Sequence, residues 1–310
     1  MRKWKMLTVF AVSIFCVSGN DVTYATYTIA GVMNMECAWK EFLTILPHRL
    51  QPDVDKQGRA ALQELRLRLQ HRPELILGNT HIHLPQCISE DDLQYVINAA
   101  SRYSPWTTYC TSQGYLTAQG GHRIGICGET IVKGEAITGF RTIRSLNIRI
   151  ARDFPDIAKG LSDLRDNILL IGPPNSGKTT LLRDLIRTRS LTTNVSVVDE
   201  RGEIFPPGFS SGSRTDVLSG CRKDVGVLML LRSMGPDIIA VDEITAEADT
   251  EALLQAGRCG VKLIATAHAN SKQDLLTRPI YRVLYNSGLF TQLVILQKDK
   301  TYRVERMYSG

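Results

Sequence analysis

Gly172-Pro173-Pro174-Asn175-Ser176-Gly177-Lys178-Thr179-Thr180 decides the fold of this chain. The spacing of its glycines, lysine and threonines is that of a phosphate-binding loop, and both flanks agree. Asn167-Ile-Leu-Leu-Ile171 predicts a strand leading in, and Thr180-Leu-Leu-Arg-Asp-Leu-Ile-Arg187 predicts a helix leading out. Strand, glycine loop and helix together aim backbone N–H groups and the positive end of a helix at a polyphosphate. Gly, Ser and Thr are common, so the spacing alone arises by chance; the flanks turn it into an expectation of ATP binding. Within the loop, Lys178 is expected to reach the β- and γ-phosphates and the Thr179 hydroxyl to ligate Mg²⁺. Gly177 lets the backbone approach the phosphate. Pro174 has no N–H to donate, so the cradle relies on Asn175 through Thr179.

Working outward, Ile168–Ile171, Val195–Val198, Ile238–Val241 and Leu263–Thr266 read as buried parallel strands alternating with helices. Each runs into a polar loop, which places the chemistry at the carboxyl edge of the sheet. Asp237-Ile-Ile-Ala-Val-Asp242-Glu243 ends in two carboxylates. Downstream of a phosphate loop, Asp242 is expected to hold Mg²⁺ through water and Glu243 to polarise the attacking water. The strand ending in Asp199-Glu-Arg-Gly-Glu203 is expected beside the phosphate-loop strand, which makes Glu200 a rival general base. Glu203 reads equally well as a solvated loop residue. His268, after the Leu263–Thr266 strand, is either a sensor of the γ-phosphate or a structural histidine. Tyr281–Leu289 predicts a helix, and Leu293–Leu296 with Tyr302–Met307 a closing hairpin.

Residues 35–155 read as a separate small α+β domain ahead of an ATPase domain at 156–310. Glu36–Leu46 predicts an amphipathic helix closed before Pro47. Leu65, Leu67 and Leu69 alternate with polar residues as a half-buried strand, and Arg72-Pro73 turns into Leu75-Ile-Leu77. Ser89-Glu-Asp-Asp92 is a capping box for a helix with Leu93, Val96, Ile97 and Ala100 on one face. Tyr115–Gln119 and His122–Cys127 flank Gly120-Gly121 as a two-residue hairpin turn. Leu146, Ile148 and Ile150 alternate again.

Composition narrows the function classes. A 310-residue chain with 43% hydrophobic residues can bury two cores. Its formal charge of +6 is spread without a long Lys/Arg run or interleaved aromatics, which disfavours nucleic acid as partner. Seven scattered cysteines without a Cys-x-x-Cys pair exclude a disulfide framework and a zinc site of that spacing. Arg2-Lys-Trp-Lys5 before the apolar Met6–Val17 resembles a secretory signal or short anchor. Export would deprive an ATPase of ATP. Residues 1–34 are therefore read first as an upstream mis-assigned start or a disordered extension, then as a peripheral membrane tether, and last as an export signal.

Taken together these motifs resemble the stage III sporulation protein AA family of endospore-forming bacteria, itself similar to secretion and type IV pilus ATPases. The resemblance rests on Gly172–Thr180, Val197–Glu203, Arg214–Cys221, Leu231–Ile244 and Thr266-Ala-His268. Upstream, Glu64–Arg68, Gly121–Gly125 and Ser145–Arg149 fit as well. It implies an α/β fold with a RecA-like phosphate-loop ATPase domain behind the small α+β domain. It also implies a hexameric ring architecture, a membrane-embedded channel of sister stage III proteins as partner, and peripheral placement on the mother-cell side of the membrane around the forespore. Secretion ATPases often carry Gly where this chain has Asp242, so the metal role of Asp242 follows the nearer family. Hydrolysis needs a further cation on the γ-phosphate, in cis or in trans; Arg123, Arg141, Arg144 and Arg149 are candidates, and salt bridges on a strand face are the competing reading. A nucleic-acid translocating ATPase and a nucleotide-gated scaffold with weak hydrolysis are the rival functions, with a small-molecule kinase behind them for want of an acceptor site.

Overall fold

A computed structural model of the protein describes residues 27–28, 36–58, 61–101 and 114–308. The apolar stretch Met6–Val17 lies outside them. Among the described residues no helix is long and apolar enough to cross a membrane. The chain divides into two compact units. One comprises Cys37–Asp153 with Pro206–Phe209, and the other holds the leading residues, Phe154–Phe205 and Ser210–Gly310. The leading residues contribute β1 (Tyr27–Thr28), a two-residue strand of the second unit's sheet.

In the first unit α1 (Trp39–Thr44) and α2 (Gln51–Gly58) precede β2 (Glu64–Arg68), β3 (Glu74–Leu77) and β4 (Thr80–His83). Then come α3 (Glu90–Ser101), β5 (Tyr115–Thr117), β6 (Arg123–Lys133) and β7 (Ala136–Arg149). The strands form one antiparallel sheet in the order β4-β3-β2-β7-β6-β5. Leu65, Leu67, Leu146 and Ile148 alternate inward and meet Val96 of α3 in one core. The capping box at α3 forms: Asp92 N donates to Ser89 Oγ at 3.2 Å and Ser89 N to the Asp92 carboxylate at 2.7 Å. The first helix is shorter than its apolar pattern, running only from Trp39 to Thr44 with Ala38 as its N-cap. The β5–β6 connection is one residue longer than a two-residue turn. Ala118 N donates to His122 O at 2.8 Å and Gly121 N to Ala118 O at 3.0 Å, leaving Gln119–Gly121 as the loop. A Cβ on Gly121 would lie 2.8 Å from both Pro206 and Phe209, so this position takes only glycine.

The second unit runs through β8 (Ile168–Ile171), α4 (Lys178–Arg189), β9 (Val195–Asp199), β10 (Thr215–Ser219), α5 (Lys223–Ser233) and β11 (Ile238–Val241). It continues with α6 (Glu247–Arg258), β12 (Lys262–Ala267), α7 (Lys272–Thr277), α8 (Pro279–Asn286), β13 (Gln292–Leu296) and β14 (Thr301–Arg306). The sheet order is β1-β14-β13-β8-β12-β11-β9-β10. Strands β13 through β10 are parallel, while β14 and β1 pair antiparallel at one edge. Both faces are covered, which explains the unbroken apolar strands. Alternate strand residues such as Ile168, Leu170 and Val197 meet Leu181, Leu182 and Leu185 of α4. The opposite set, such as Leu169, Ile239 and Leu263, meets Leu253 of α6 and Leu284 of α8.

One expectation is overturned by this order. The strand ending at Asp199 does not neighbour the phosphate-loop strand: β8 sits between β12 and β13, with β12 and β11 separating it from β9. Helical crossovers let consecutive parallel strands sit apart, so chain order does not give strand order. The parallel strands still deliver their carboxyl ends to one edge, and the candidate site is built there.

Candidate functional site

The phosphate loop follows β8, whose four residues are all buried. A Cβ on Gly172 would come within 2.7 Å of Ser176 Oγ and 2.8 Å of Leu296 O, so the loop turns tightly only because that residue is glycine. Asn175 and Gly177 both have positive φ, 61° and 99°, and Gly177 caps the start of α4. The Lys178 ammonium folds back across the loop, donating to Gly172 O and Pro173 O at 2.9 Å each and lying 3.2 Å from His268 Nδ1. Burial pushes Lys178 below the usual lysine range, against the pull of Asp242 and Glu243. A cation held mostly by neutral carbonyls in a partly desolvated loop is suited to an arriving anion.

Beside it, Thr179 Oγ1 donates to Asp242 Oδ2 at 2.7 Å, and Thr266 Oγ1 donates to the other carboxylate oxygen at 2.5 Å. A threonine hydroxyl and a carboxylate are hard oxygen donors of the kind Mg²⁺ takes. Among the described residues no three His, Cys, Asp or Glu side chains gather to hold a metal unaided. The residues present thus fit a magnesium ion that completes its shell with phosphate and water oxygens.

Glu243 follows with φ 56°, a conformation that is strained for a side chain larger than glycine. Its backbone N–H donates to Thr266 Oγ1 at 2.7 Å. Its carboxylate lies 2.9 Å from His268 Nε2 and 3.0 Å from Arg201 Nη1. His268 therefore bridges Lys178 and Glu243, with Nδ1 accepting from the ammonium and Nε2–H donating to the carboxylate. That is a different contact set from a free γ-phosphate sensor. The Tyr281 hydroxyl secures this loop by donating to Ile244 O at 3.0 Å and accepting from His268 N at 3.3 Å.

Glu200 is brought to the same edge but not to the same partners. Its carboxylate pairs with Lys223, a buried lysine at the start of α5, whose ammonium also lies 3.9 Å from Asp249. A lysine at a helix N-terminus works against the helix dipole, so its two carboxylates are what hold it there. Asp199, Glu200, Arg201, Lys223, Asp242 and Glu243 line one open cavity. Glu203, also on its rim, gives its carbonyl to Arg183 of α4 at 2.8 Å. Asp199 itself organises the loop, accepting N–H bonds from Glu203 and Phe205 at 2.9 Å and from Ile204 at 3.1 Å. Burial raises the Asp199 carboxyl above its ordinary value.

The four candidate arginines all lie in the first unit, on β6 and β7. Arg123 stacks 4.2 Å over the Tyr115 ring, Arg141 pairs with Glu129 at 2.9 Å, and Arg149 lies 3.5 Å from Glu64. Arg144 is exposed. Sequence reasoning missed Lys223, Thr266 and Arg201 as partners of the named carboxylates. Thr266 and Arg201 stand inside quoted motifs, so the clue was there; Lys223 offered none.

The family model for sporulation stage III, protein AA, matches residues 41–309. The chain belongs to the stage III sporulation protein AA family. It is 36% identical over 280 residues to stage III sporulation protein AA of Bacillus subtilis (strain 168), covering 84% of this chain and 91% of that protein. A crystal structure of the pilus retraction motor PilT with bound ADP aligns at a TM-score of 0.57 with 14% identity, over 80% of this chain and 76% of that one. The ATPase DotB of Legionella pneumophila aligns at 0.51 with 16% identity, over 81% and 76%. These likenesses give this family member the fold of secretion and pilus ATPases, a RecA-like domain preceded by a small α+β domain.

Proposed function

We propose that this protein is the Mg-dependent, ATP-hydrolysing motor of a secretion-like channel complex in endospore formation. The observation that carries the reading is one sheet edge on which Lys178, the Thr179–Asp242 pair and the His268–Glu243 pair meet. On this reading the loop N–H groups from Asn175 to Thr179 bind the polyphosphate, and Lys178 leaves its loop carbonyls for the β- and γ-phosphates. Thr179 and Asp242 would hold a magnesium ion, which would supply positive charge against the polyphosphate. Glu243 orients the attacking water and takes its proton, and His268 keeps the carboxylate fixed beside Lys178. The remaining charge on the γ-phosphate calls for an arginine in cis or in trans, with Arg123, Arg141, Arg144 and Arg149 as the candidates.

Family membership supports the rest of the reading: a hexameric ring, a membrane-embedded stage III channel as partner, and a peripheral position on the mother-cell side of the membrane around the forespore. The test is a steady-state ATPase assay with a mass measurement on purified protein, with and without Mg²⁺, the channel partner and single-stranded nucleic acid. Turnover that needs Mg²⁺ and is lost in Lys178→Ala supports the reading. Substantial turnover in Lys178→Ala overturns the site, and stimulation by nucleic acid alone transfers the function to a translocating ATPase.

One observation favours a second reading, a nucleotide-gated scaffold with weak hydrolysis. Both candidate bases are already engaged by cations, Glu243 by Arg201 and Glu200 by Lys223. Normal assembly by a Glu200→Gln/Glu243→Gln double variant would favour that reading over the motor.

A further inference from the structure

The turn between β13 and β14 places a second lysine at the phosphate loop. Strand β13 is the parallel neighbour of β8, so its carboxyl end arrives beside the loop that follows β8. The turn fixes its own backbone: Gln297 N donates to Thr301 O at 2.8 Å and Lys300 N to Gln297 O at 3.2 Å. The Asp299 carboxylate is occupied within the turn, accepting from Thr301 N at 2.9 Å and Thr301 Oγ1 at 2.7 Å. Lys300 then stands at φ 70°, and its ammonium donates to the carbonyl of Asn175, in the middle of the loop. Its methylene stem reaches Gly177, where an added Cβ would sit 4.0 Å from Lys300 Cδ.

Among the described residues no carboxylate pairs with the Lys300 ammonium, and burial alone displaces it below the usual lysine range. It also opposes the charge of Lys178 across the loop. Two mutually repelling ammonium groups converge on one loop, and only Lys178 feels the nearby carboxylates. An exposed cation held on the loop by a neutral carbonyl lacks its counter-charge, and a polyphosphate supplies one.

We propose that Lys300 is a second nucleotide-binding cation, which leaves the Asn175 carbonyl to take a phosphate oxygen of the bound nucleotide. The inference rests on the nucleotide site proposed above and adds a binding residue to it. Because Lys300 is held on the loop at Asn175 and, unlike Lys178, feels neither Asp242 nor Glu243, its contribution is to holding di- and triphosphate alike rather than to the hydrolytic step.

The experiment is calorimetric titration of the full chain with ADP and with ATP at low and high salt. Wild type is compared with Lys300→Met, Lys300→Gly, Lys300→Arg and the control Lys178→Ala. Lys300→Gly matters because glycine adopts φ 70° freely, keeping the turn while removing the charge. Loss of one charge-assisted hydrogen bond predicts about tenfold weaker binding of both nucleotides in Lys300→Met and Lys300→Gly. The same variants should show a shallower salt dependence, the unliganded unfolding temperature of Lys300→Gly should be unchanged, and Lys300→Arg should bind nearly as wild type. Binding by Lys300→Gly within about twofold of wild type, with the same salt dependence, overturns the proposal while the loss in Lys178→Ala leaves the site standing. Failure of wild type to bind either nucleotide overturns the site reading and the proposal with it.

Discussion

The two units differ in where their buried charges gather. In the first, Asp92 and His122 close local gaps in the backbone, as Asp184 does in the second. Fully buried His122, for example, contacts Ala38 O at 3.0 Å through Nε2 and receives Ala151 N–H at 3.2 Å on Nδ1. In the second, Lys178, Asp199 and Lys223 are drawn to the ends of parallel strands. Backbone strain is concentrated there: among the described residues Asn175, Glu243 and Lys300 hold positive φ on the phosphate loop or beside it, and only Gln70 and Asp156 do so elsewhere without being glycine. A satisfied polar group at a backbone gap is architecture, whereas strained and charged groups gathered on one edge are the expected signature of a working site.

The largest test of that contrast is Lys178→Ala, which should lower turnover about a thousandfold, on the scale of losing one essential transition-state donor. The fold should survive, because Lys178 contributes hydrogen bonds only to Gly172 O, Pro173 O and His268. Next in size is the separation of the two carboxylates. Glu243 touches the residue that touches Lys178, while Glu200 is tied to Lys223. Single-turnover assays should show Glu243→Gln slower by about a hundredfold, the lower range for a general base, and Glu200→Gln by much less. The reverse ranking would move the base to the β9 loop.

Which parts of this edge were legible in the sequence follows from how each is encoded. The phosphate loop and Asp242-Glu243 are contiguous strings whose chemistry is tied to fixed spacing, so they could be read. The neighbours of β8 were not readable, because four parallel strands of similar apolar content carry no mark of their order. Lys223 and Lys300 were missed for the same reason: each becomes a site residue only through a strand order that brings its loop to the edge. In the first unit, buried alternation exposed β2 and part of β7. The outer half of the β6–β7 hairpin lacks that alternation and leaves Ile131, Val132 and Ile137 exposed, so its length was invisible.

A smaller effect should follow from Asp199→Asn. The native carboxylate accepts three consecutive N–H groups despite burial that raises its pKa. An amide keeps one acceptor oxygen and turns an NH₂ toward donors, leaving buried N–H groups unmet at a cost of about 2 kcal/mol. Hydrogen exchange should report faster exchange at Glu203, Ile204 and Phe205, with protection in β2 and β7 unchanged. Uniform loss across both sheets would mean that the loop is not an independent element of the second unit.

The smallest effect isolates the first unit. Burial holds His122 below the ordinary histidine value, so the folded chain resists a proton that the unfolded chain accepts near pH 6.5. Its contribution is complete above that value and is lost as pH falls from 6.5 toward the lower folded value. The slope can reach about 1.4 kcal/mol per pH unit within that window. Protonation of Nδ1 would also set an N–H against the Ala151 donor. Melting curves of wild type and His122→Gln, taken between pH 7.5 and 5.5, should therefore diverge at high pH and converge toward acid. ATPase per folded molecule should match at pH 7.5. Parallel curves would show that His122 does not titrate with unfolding, and a changed ATPase rate would show that His122 also bears on turnover.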